Sequence, residues 1–273
     1  DDTVFAMEDS GYSRSYFAFA SYVKNMKTIP VDMDGLKIED LYKSKANIFY
    51  TTPYYHHPTG HKMTTLQKEQ LLAWVSESPD RYIIEDCFDC ELIFGASESL
   101  YSMDKNNKVI LLNSFSRSIS SSFKTSYMVI PDNLVSKWKD KHQYYYALTP
   151  PLEQLALAEF IDKGYFVKHY KTTRRIYRER REVLKKALYD AFGSGVIVSE
   201  NSNSTCVIMT LNVGLSRDEI ILRARKADIK FFPIQKHCID PSLMPDCTFI
   251  LGIGGLTNHA IKEGIQNLSL IHI

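Results

Sequence analysis

The sequence lacks long apolar segments and has almost no net charge. No run of apolar residues approaches the roughly 20 that a membrane-spanning helix needs, and the formal net charge of the 273 residues is +1 at pH 7. Such a balance gives no overall attraction to nucleic acid. Residues 1–12 are acidic and strand-like, so they do not form a secretory signal. We expect a soluble globular chain, long enough to bury a real core in one or two domains.

Cysteine is scarce as well. Five cysteines, an odd number, do not make a disulfide framework, so we expect a reduced, cytoplasmic protein. Cys87 and Cys90 could form half of a zinc site, but no second CxxC completes it. Neither a carboxylate nor a cysteine stands at ligand spacing beside His56, His57 and His61. We predict no metal site, and we interpret the two thiols as small side chains where a strand meets its loop.

Short apolar runs alternate with helical patterns in the first half of the chain. Five runs read as strands: 3–8, 46–53, 81–86, 108–113 and 125–131. They are too continuous for half-exposed antiparallel strands, so they predict a mostly parallel sheet that is buried on both faces. Residues 64–78 have apolar side chains at helical spacing after a threonine suited to an N-cap. This alternation predicts an α/β domain over residues 1–150.

The second half has a different pattern. Residues 151–192 predict one long helix or two in series, and the run 171–188 is strongly basic. Contact with nucleic acid is one explanation for that run. The solvated face of an amphipathic helix, with Ile176, Val183 and Leu184 turned inward, is the favoured one. Residues 193–273 read as two strands and a helix, twice, which predicts a small α+β domain.

Side chains capable of chemistry follow four of the predicted strands. In open α/β sheets, ligands gather outside the carboxyl ends of the strands. The strand ends supply the aspartate Asp86, the aromatic Tyr12 beside Arg14, and a His-Pro turn at residues 57–58. The segment 113–124 adds serines and two cations, Arg117 and Lys124. Hydroxyls and cations between apolar flanks predict a site for a small anion. For Asp86, a helix cap or a surface turn is the open alternative.

Six segments in order carry a family resemblance. They are DTVFAMEDSGYSR (2–14), IPVDMDGLKIEDL (29–41), FYTTPYYHHPTGHKMT (49–64), YIIEDCFDCE (82–91), VILLNSFSRSISSSFKTSYMVIP (109–131) and FILGIGGLTNHAIKEGIQNL (249–268). Their succession resembles the fold-type I, pyridoxal-phosphate-dependent aminotransferases. It is most similar to the aminotransferase-like effector domain of MocR-type regulators, a subgroup of the GntR transcription factors.

The resemblance implies roles for five residues. Asp86 corresponds to the aspartate that keeps the pyridine nitrogen of the cofactor protonated. Tyr12 corresponds to the aromatic that stacks on the cofactor ring. Arg14 corresponds to an arginine that grips an effector carboxylate in some members. Ser114 and Lys124 correspond to residues that hold the cofactor phosphate, the second of which is usually arginine.

Four departures from the family pattern imply that catalysis is lost. Arg117 stands where the family has the Schiff-base lysine, and a guanidinium stays protonated and forms no stable imine. Phe88 replaces a tyrosine that contacts the cofactor oxygen. His57 replaces an asparagine of the wider aminotransferases. Ile250 takes the place of the arginine that binds the substrate carboxylate.

The resemblance therefore implies a homodimeric, non-catalytic effector domain that senses a small anion, an amino acid or a cofactor-like molecule. Pyridoxal phosphate would bind without a covalent bond or not at all. In the family, a helix, a phosphate-binding turn and a winged-helix DNA-binding domain precede the DTV strand, so we expect the chain to be a fragment. Two alternatives stay open: an active aminotransferase that uses Lys124 or another lysine, and a structural relic that only dimerises.

Overall fold

Two β-sheets organise the chain. The computed structural model describes residues 3–88, 90, 98–146, 148–200, 205–226, 229–230 and 232–269. Parts of segment 82–91 and of the predicted α+β region 193–273 therefore lie outside the described residues. The larger sheet has seven strands, and the smaller sheet has four and follows a set of connecting helices.

The larger sheet is mostly parallel. Its strands are β1 (Phe5–Asp9), β2 (Met26–Asp32), β3 (Gly35–Leu36), β4 (Ile48–Thr51), β5 (Tyr82–Asp86), β6 (Val109–Ser114) and β7 (Ser126–Val129). They lie in the order β3-β2-β1-β4-β5-β6-β7. The edge pairs β2–β3 and β6–β7 are antiparallel, and the inner pairs are parallel. This confirms the predicted α/β class with a mostly parallel sheet.

Sequence analysis missed β2. Ile29 and Val31 are buried in this strand, but their neighbours Thr28, Pro30 and Asp32 are polar or lack a backbone N–H. The strand therefore lacks the continuous apolar run by which the inner strands were predicted. Five residues of β2 pair with β1, and this pairing defines the strand although its own sequence does not predict it.

Among the described residues, five helices lie between strands of the larger sheet, and a sixth follows β7. They are α1 (Ser13–Ala20), α2 (Ile38–Ser44), α3 (Thr65–Ser76), α4 (Leu100–Met103), α5 (Phe115–Ser118) and α6 (Asp132–His142). The predicted N-cap of α3 is confirmed, because the hydroxyl of Thr64 accepts a hydrogen bond from the N–H of Gln67, whose side chain bonds back to Thr64. Leu71 and Trp74 of α3 are fully buried in the apolar core under the sheet.

The second half of the chain builds the smaller sheet. After α7 (Pro151–Asp162) and α8 (Tyr165–Phe192) come β8 (Val196–Val198), β9 (Cys206–Leu211), α9 (Arg217–Lys226), β10 (Phe232–Pro233), β11 (Thr248–Gly252) and α10 (Asn258–Ser269). The sheet is antiparallel in the order β10-β11-β9-β8. The predicted divisions at residues 150 and 192 stay predictions.

The basic helix α8 packs its apolar stripe inward. Leu184, Leu188 and Phe192 are buried in the core of the smaller sheet together with residues of α10. Arg180 uses its guanidinium to donate to the carbonyl oxygen of Gly254 at 2.8 Å. These contacts support the amphipathic interpretation of the basic run. No helix in the described part of the chain is long and apolar enough to cross a membrane.

Candidate functional site

The carboxyl ends of four parallel strands meet at one edge of the larger sheet. β1 ends at Asp9, β4 at Thr51, β5 at Asp86 and β6 at Ser114. Parallel strands present their carboxyl ends on the same side of a sheet. The side chains predicted from the strand ends therefore lie along this edge.

Asp86 is a half-buried carboxylate that neutral donors hold. Its Oδ2 accepts a hydrogen bond from the hydroxyl of Tyr50, and its Oδ1 accepts one from the backbone N–H of Phe88 at 3.1 Å. The Tyr50 hydroxyl also lies 3.2 Å from the hydroxyl of Ser15 on α1. Sequence reasoning missed Tyr50, because an apolar strand context gives no signal for a hydroxyl that points at a site.

Desolvation dominates the electrostatics of Asp86. Burial raises the pKa of this carboxyl, although the hydrogen bonds from Tyr50 and Phe88 oppose the shift. No cation pairs with Asp86 among the residues that the structure describes. A positively charged group placed next to this carboxylate would therefore offset the energetic cost of its desolvation.

The short helix α5 places Arg117 beside Phe88. The guanidinium carbon of Arg117 lies 5.8 Å from the centroid of the Phe88 ring, within range of a cation–π interaction. Its Nη2 donates to the hydroxyl of Thr205 at 2.5 Å. Because Thr205 directly precedes β9, Arg117 connects the end of β6 to the smaller sheet. The Arg117 side chain as a whole stays exposed.

His57 lies between aromatic and cationic neighbours. Its Nε2 lies 2.9 Å from Nδ1 of His237, so one imidazole donates and the other accepts. The ring of Tyr12 meets His57 edge to face, with 5.9 Å between centroids. Burial lowers the pKa of His57 to about 3, and the charges of His237, His56 and Arg117 act in the same direction. Burial also lowers the pKa of His237, so both rings are neutral at pH 7.

Five of the predicted residues are thus linked by contacts or charge: Tyr12, His57, Asp86, Phe88 and Arg117. We call them the strand-end cluster. Sequence reasoning missed His237 and Thr205, which belong to the second half of the chain. No local pattern marks either residue, and only the fold brings them to the cluster.

The other predicted residues lie apart from these contacts. Ser114 is the N-cap of α5, where its hydroxyl accepts a hydrogen bond from the N–H of Ser116 at 3.2 Å. Arg14 on α1 and Lys124 after α5 are exposed. Neither of these two cations makes a hydrogen bond or an ion pair with another described residue. Their assigned roles toward a carboxylate and a phosphate stay predictions.

Cys206 of the smaller sheet contacts Tyr55 beside the strand-end cluster. The ring of Tyr55 meets the Phe88 ring edge to face at 6.4 Å, and its hydroxyl lies 3.0 Å from Sγ of Cys206 on β9. Ile208 follows Cys206 on the same face of β9 and pairs with Ile250 of β11. Ile208 and Ile250 are buried in one apolar cluster. The side chain at position 250 is therefore part of an apolar core cluster.

Asp9 fastens the segment that carries His237. Its buried carboxylate accepts hydrogen bonds from the backbone N–H groups of Ile239 at 2.7 Å and Asp240 at 3.0 Å. Nearby, the N–H of Gly11 donates to the carbonyl oxygen of His237 at 3.0 Å. The end of β1 therefore sets the position of His237 against His57.

A metal centre is not a feature of the described residues: among them, no group of three or more histidine, cysteine or carboxylate side chains could hold a metal ion. Cys87 and Cys90 are free thiols. Cys90 accepts a hydrogen bond from the side-chain amide of Asn113 at 3.4 Å.

Two curated regulators match nearly the whole chain. HTH-type transcriptional regulator YdeL of Bacillus subtilis is 31% identical over 267 residues, which are 96% of this chain and 56% of the regulator. The probable rhizopine catabolism regulatory protein MocR of Rhizobium meliloti is 27% identical over 268 residues, 96% of this chain and 53% of that protein. The chain spans about half the length of these relatives.

A solved aminotransferase has the same fold. The crystal structure of Pyrococcus horikoshii kynurenine aminotransferase with PMP matches 99% of this chain and 69% of its own, with a TM-score of 0.82 and 24% sequence identity. The family model for aminotransferases of class I and II matches residues 6–224. The resemblance to fold-type I aminotransferases and to MocR-type regulators is confirmed. The chain belongs to the class I and II aminotransferase family.

Proposed function

We propose that this chain is the non-catalytic effector domain of a MocR-type transcription regulator, and that it binds a small anionic ligand at the strand-end cluster. The observation that carries the proposal is Arg117, at the position of the Schiff-base lysine. A guanidinium keeps its proton at any physiological pH and forms no stable imine. It keeps the positive charge of the lysine but loses the nucleophile.

The cluster fits a cofactor-like ring in part. A pyridinium N–H suits the desolvated carboxylate of Asp86, which has neutral hydrogen-bond donors and no cationic partner among the described residues. Tyr12 is exposed beside His57 and can stack on a ring. Bound pyridoxal phosphate supplies an electron sink in this family. Arg117 and Phe88 do not fit covalent attachment, so we propose that any such ring binds non-covalently.

The active-enzyme alternative finds little support in the lysines. Lys124 is exposed and makes no hydrogen bond or ion pair with another described residue. Lys68 is buried, but its Nζ donates to the carbonyl oxygen of Glu98 at 2.5 Å and lies 5.0 Å from the Tyr54 ring centroid. None of these neighbours belongs to the strand-end cluster.

An exposed apolar segment favours dimerisation. Tyr144, Tyr146, Leu148 and Leu152 are between 79% and 99% exposed around the start of α7. Exposed apolar side chains this close together are typical of an interface. We propose that a second copy of the chain covers this segment. Ligand binding then alters DNA binding by a helix-turn-helix domain through a shift in dimer packing, which requires different ligand affinities in the two states.

Titration with pyridoxal phosphate tests the proposal. The protein is mixed with equimolar cofactor, followed by visible absorbance, and treated with borohydride before mass spectrometry. We expect no reduced adduct on any lysine, because Arg117 forms none. A single modified lysine at this stoichiometry would overturn the non-catalytic proposal.

A thermal-shift screen tests ligand binding itself. Pyridoxal phosphate and a panel of amino acids are compared on the wild type, on Arg117→Ala and on Arg175→Ala, which removes an exposed cation of α8. We expect at least one ligand to raise the melting temperature of the wild type and of the Arg175 variant, but not of the Arg117 variant. Absence of any shift would favour the relic that only dimerises.

A further inference from the structure

We propose that Arg117 selects a ligand with a carboxylate on its ring: a pyridine 5′-phosphate in the acid form, in preference to the aldehyde or the amine. This inference rests on the proposed function, because it assumes that the strand-end cluster holds a ring. It goes beyond that function by naming the group that meets Arg117.

The first step concerns the chemistry of Arg117. The guanidinium lies over the Phe88 ring of the cluster and donates to Thr205 outside it, and these two contacts orient it. A planar guanidinium pairs with a carboxylate through two parallel hydrogen bonds, a geometry that an aldehyde oxygen cannot match. An aminomethyl group on the ring would be a cation beside a cation. The charge of Arg117 therefore gives the acid the highest affinity, the aldehyde a lower one and the amine the lowest.

The second step concerns the groups of Tyr55 and Cys206. The Tyr55 ring meets the Phe88 ring edge to face, and its hydroxyl lies 3.0 Å from Sγ of Cys206. Neither group carries a positive charge, so a carboxylate placed against them would lose hydration without an ionic partner. An anion near the strand-end cluster gains most at Arg117.

The third step concerns the other groups around Arg117. His57 and His237 share one hydrogen bond, and burial keeps both rings neutral at pH 7. They add no second cation that would attract an anion away from Arg117. The carboxylate of Asp86 accepts the backbone N–H of Phe88 at 3.1 Å. Anion selection is therefore assigned to Arg117, and selection of a protonated ring nitrogen is assigned to Asp86.

The test compares three probes with the same ring and the same phosphate: 4-pyridoxic acid 5′-phosphate, pyridoxal 5′-phosphate and pyridoxamine 5′-phosphate. Isothermal titration calorimetry gives the dissociation constant of each. We expect the acid to bind at least about tenfold more tightly than the amine, which is the factor that one charge-assisted hydrogen bond contributes. Arg117→Gln should abolish the preference, and Arg175→Gln should keep it.

A second variant covers the case in which Arg117→Gln fails to fold. Arg117→Lys keeps the charge but loses the planar fork, so we expect the acid to stay ahead of the amine by a smaller factor. Equal affinities for the three probes in the wild type would overturn the inference and leave the proposed function intact. Tighter binding of the amine, or an unchanged preference in Arg117→Gln, would also overturn it. Failure of every ligand, the amino acids included, would overturn the proposed function as well.

Discussion

Asp9→Asn tests whether the carboxylate at the end of β1 fastens the segment that carries His237. Asp9 is 4% exposed, and its two oxygens accept the N–H groups of Ile239 and Asp240 at 2.7 and 3.0 Å. Asparagine has the same shape but only one acceptor oxygen. Its amide group would face one of the two N–H donors, so one charge-assisted hydrogen bond is lost and a buried donor is left unpaired. We expect the free energy of unfolding to fall by roughly 1.5–3 kcal/mol.

Urea denaturation measures this loss as a shift of the midpoint at unchanged slope. Asp80→Asn is the matched control, because Asp80 is exposed and a surface substitution of this kind changes stability by less than about 0.5 kcal/mol. Amide hydrogen exchange gives a local readout: the N–H groups of Ile239 and Asp240 should exchange faster in Asp9→Asn. If both variants matched the wild type in stability and exchange, the proposed fastening by Asp9 would be refuted.

Three further predictions follow from single residues. Thr64→Ala removes the capping box of α3 and should lower the free energy of unfolding by about 1 kcal/mol in urea titrations. The pKa of His57 is lowered to about 3 in the folded chain, so the unfolded chain binds more protons below about pH 6.5. The free energy of unfolding should therefore fall as the pH drops from about 6.5 toward 3. His57→Gln should make this pH dependence, measured by urea midpoints, less steep. Arg117→Lys alone should give no transamination in a coupled assay, because Phe88 and Ile250 remain; turnover would contradict this.

The sequence predicted the inner strands because each is a continuous apolar run. β1 is buried at all five positions and β4 at three of four, so these strands need no polar alternation, whereas β5 and β6 keep several half-buried positions. The sequence did not predict β2, because Pro30 and polar neighbours interrupt its apolar residues. Only pairing with β1 defines it as a strand, and pairing is not encoded in any local pattern.

The candidate site was partly predictable for a similar reason. Parallel strands bring their carboxyl ends together, so Asp86 and Arg117 could be placed at one edge from the sequence alone. His237 is 180 residues from its partner His57 along the chain, and Thr205 is 88 residues from its partner Arg117. Long-range contacts of this kind follow from the packing of the smaller sheet and leave no mark in the local sequence.

An arginine at position 117 combines a charge for a ligand with a structural contact at the strand-end cluster. The Arg117 hydrogen bond to Thr205 joins the end of β6 to the start of β9, so the residue that would meet a ligand also joins the two sheets. An anion that draws the guanidinium away from Thr205 weakens this link, and by reciprocity any change that weakens the link alters the affinity for the anion. A lysine engaged in covalent catalysis could not serve this linkage in the same way. Under the proposed function, the hydrogen bond between Arg117 and Thr205 therefore couples ligand occupancy to the contact between the two sheets.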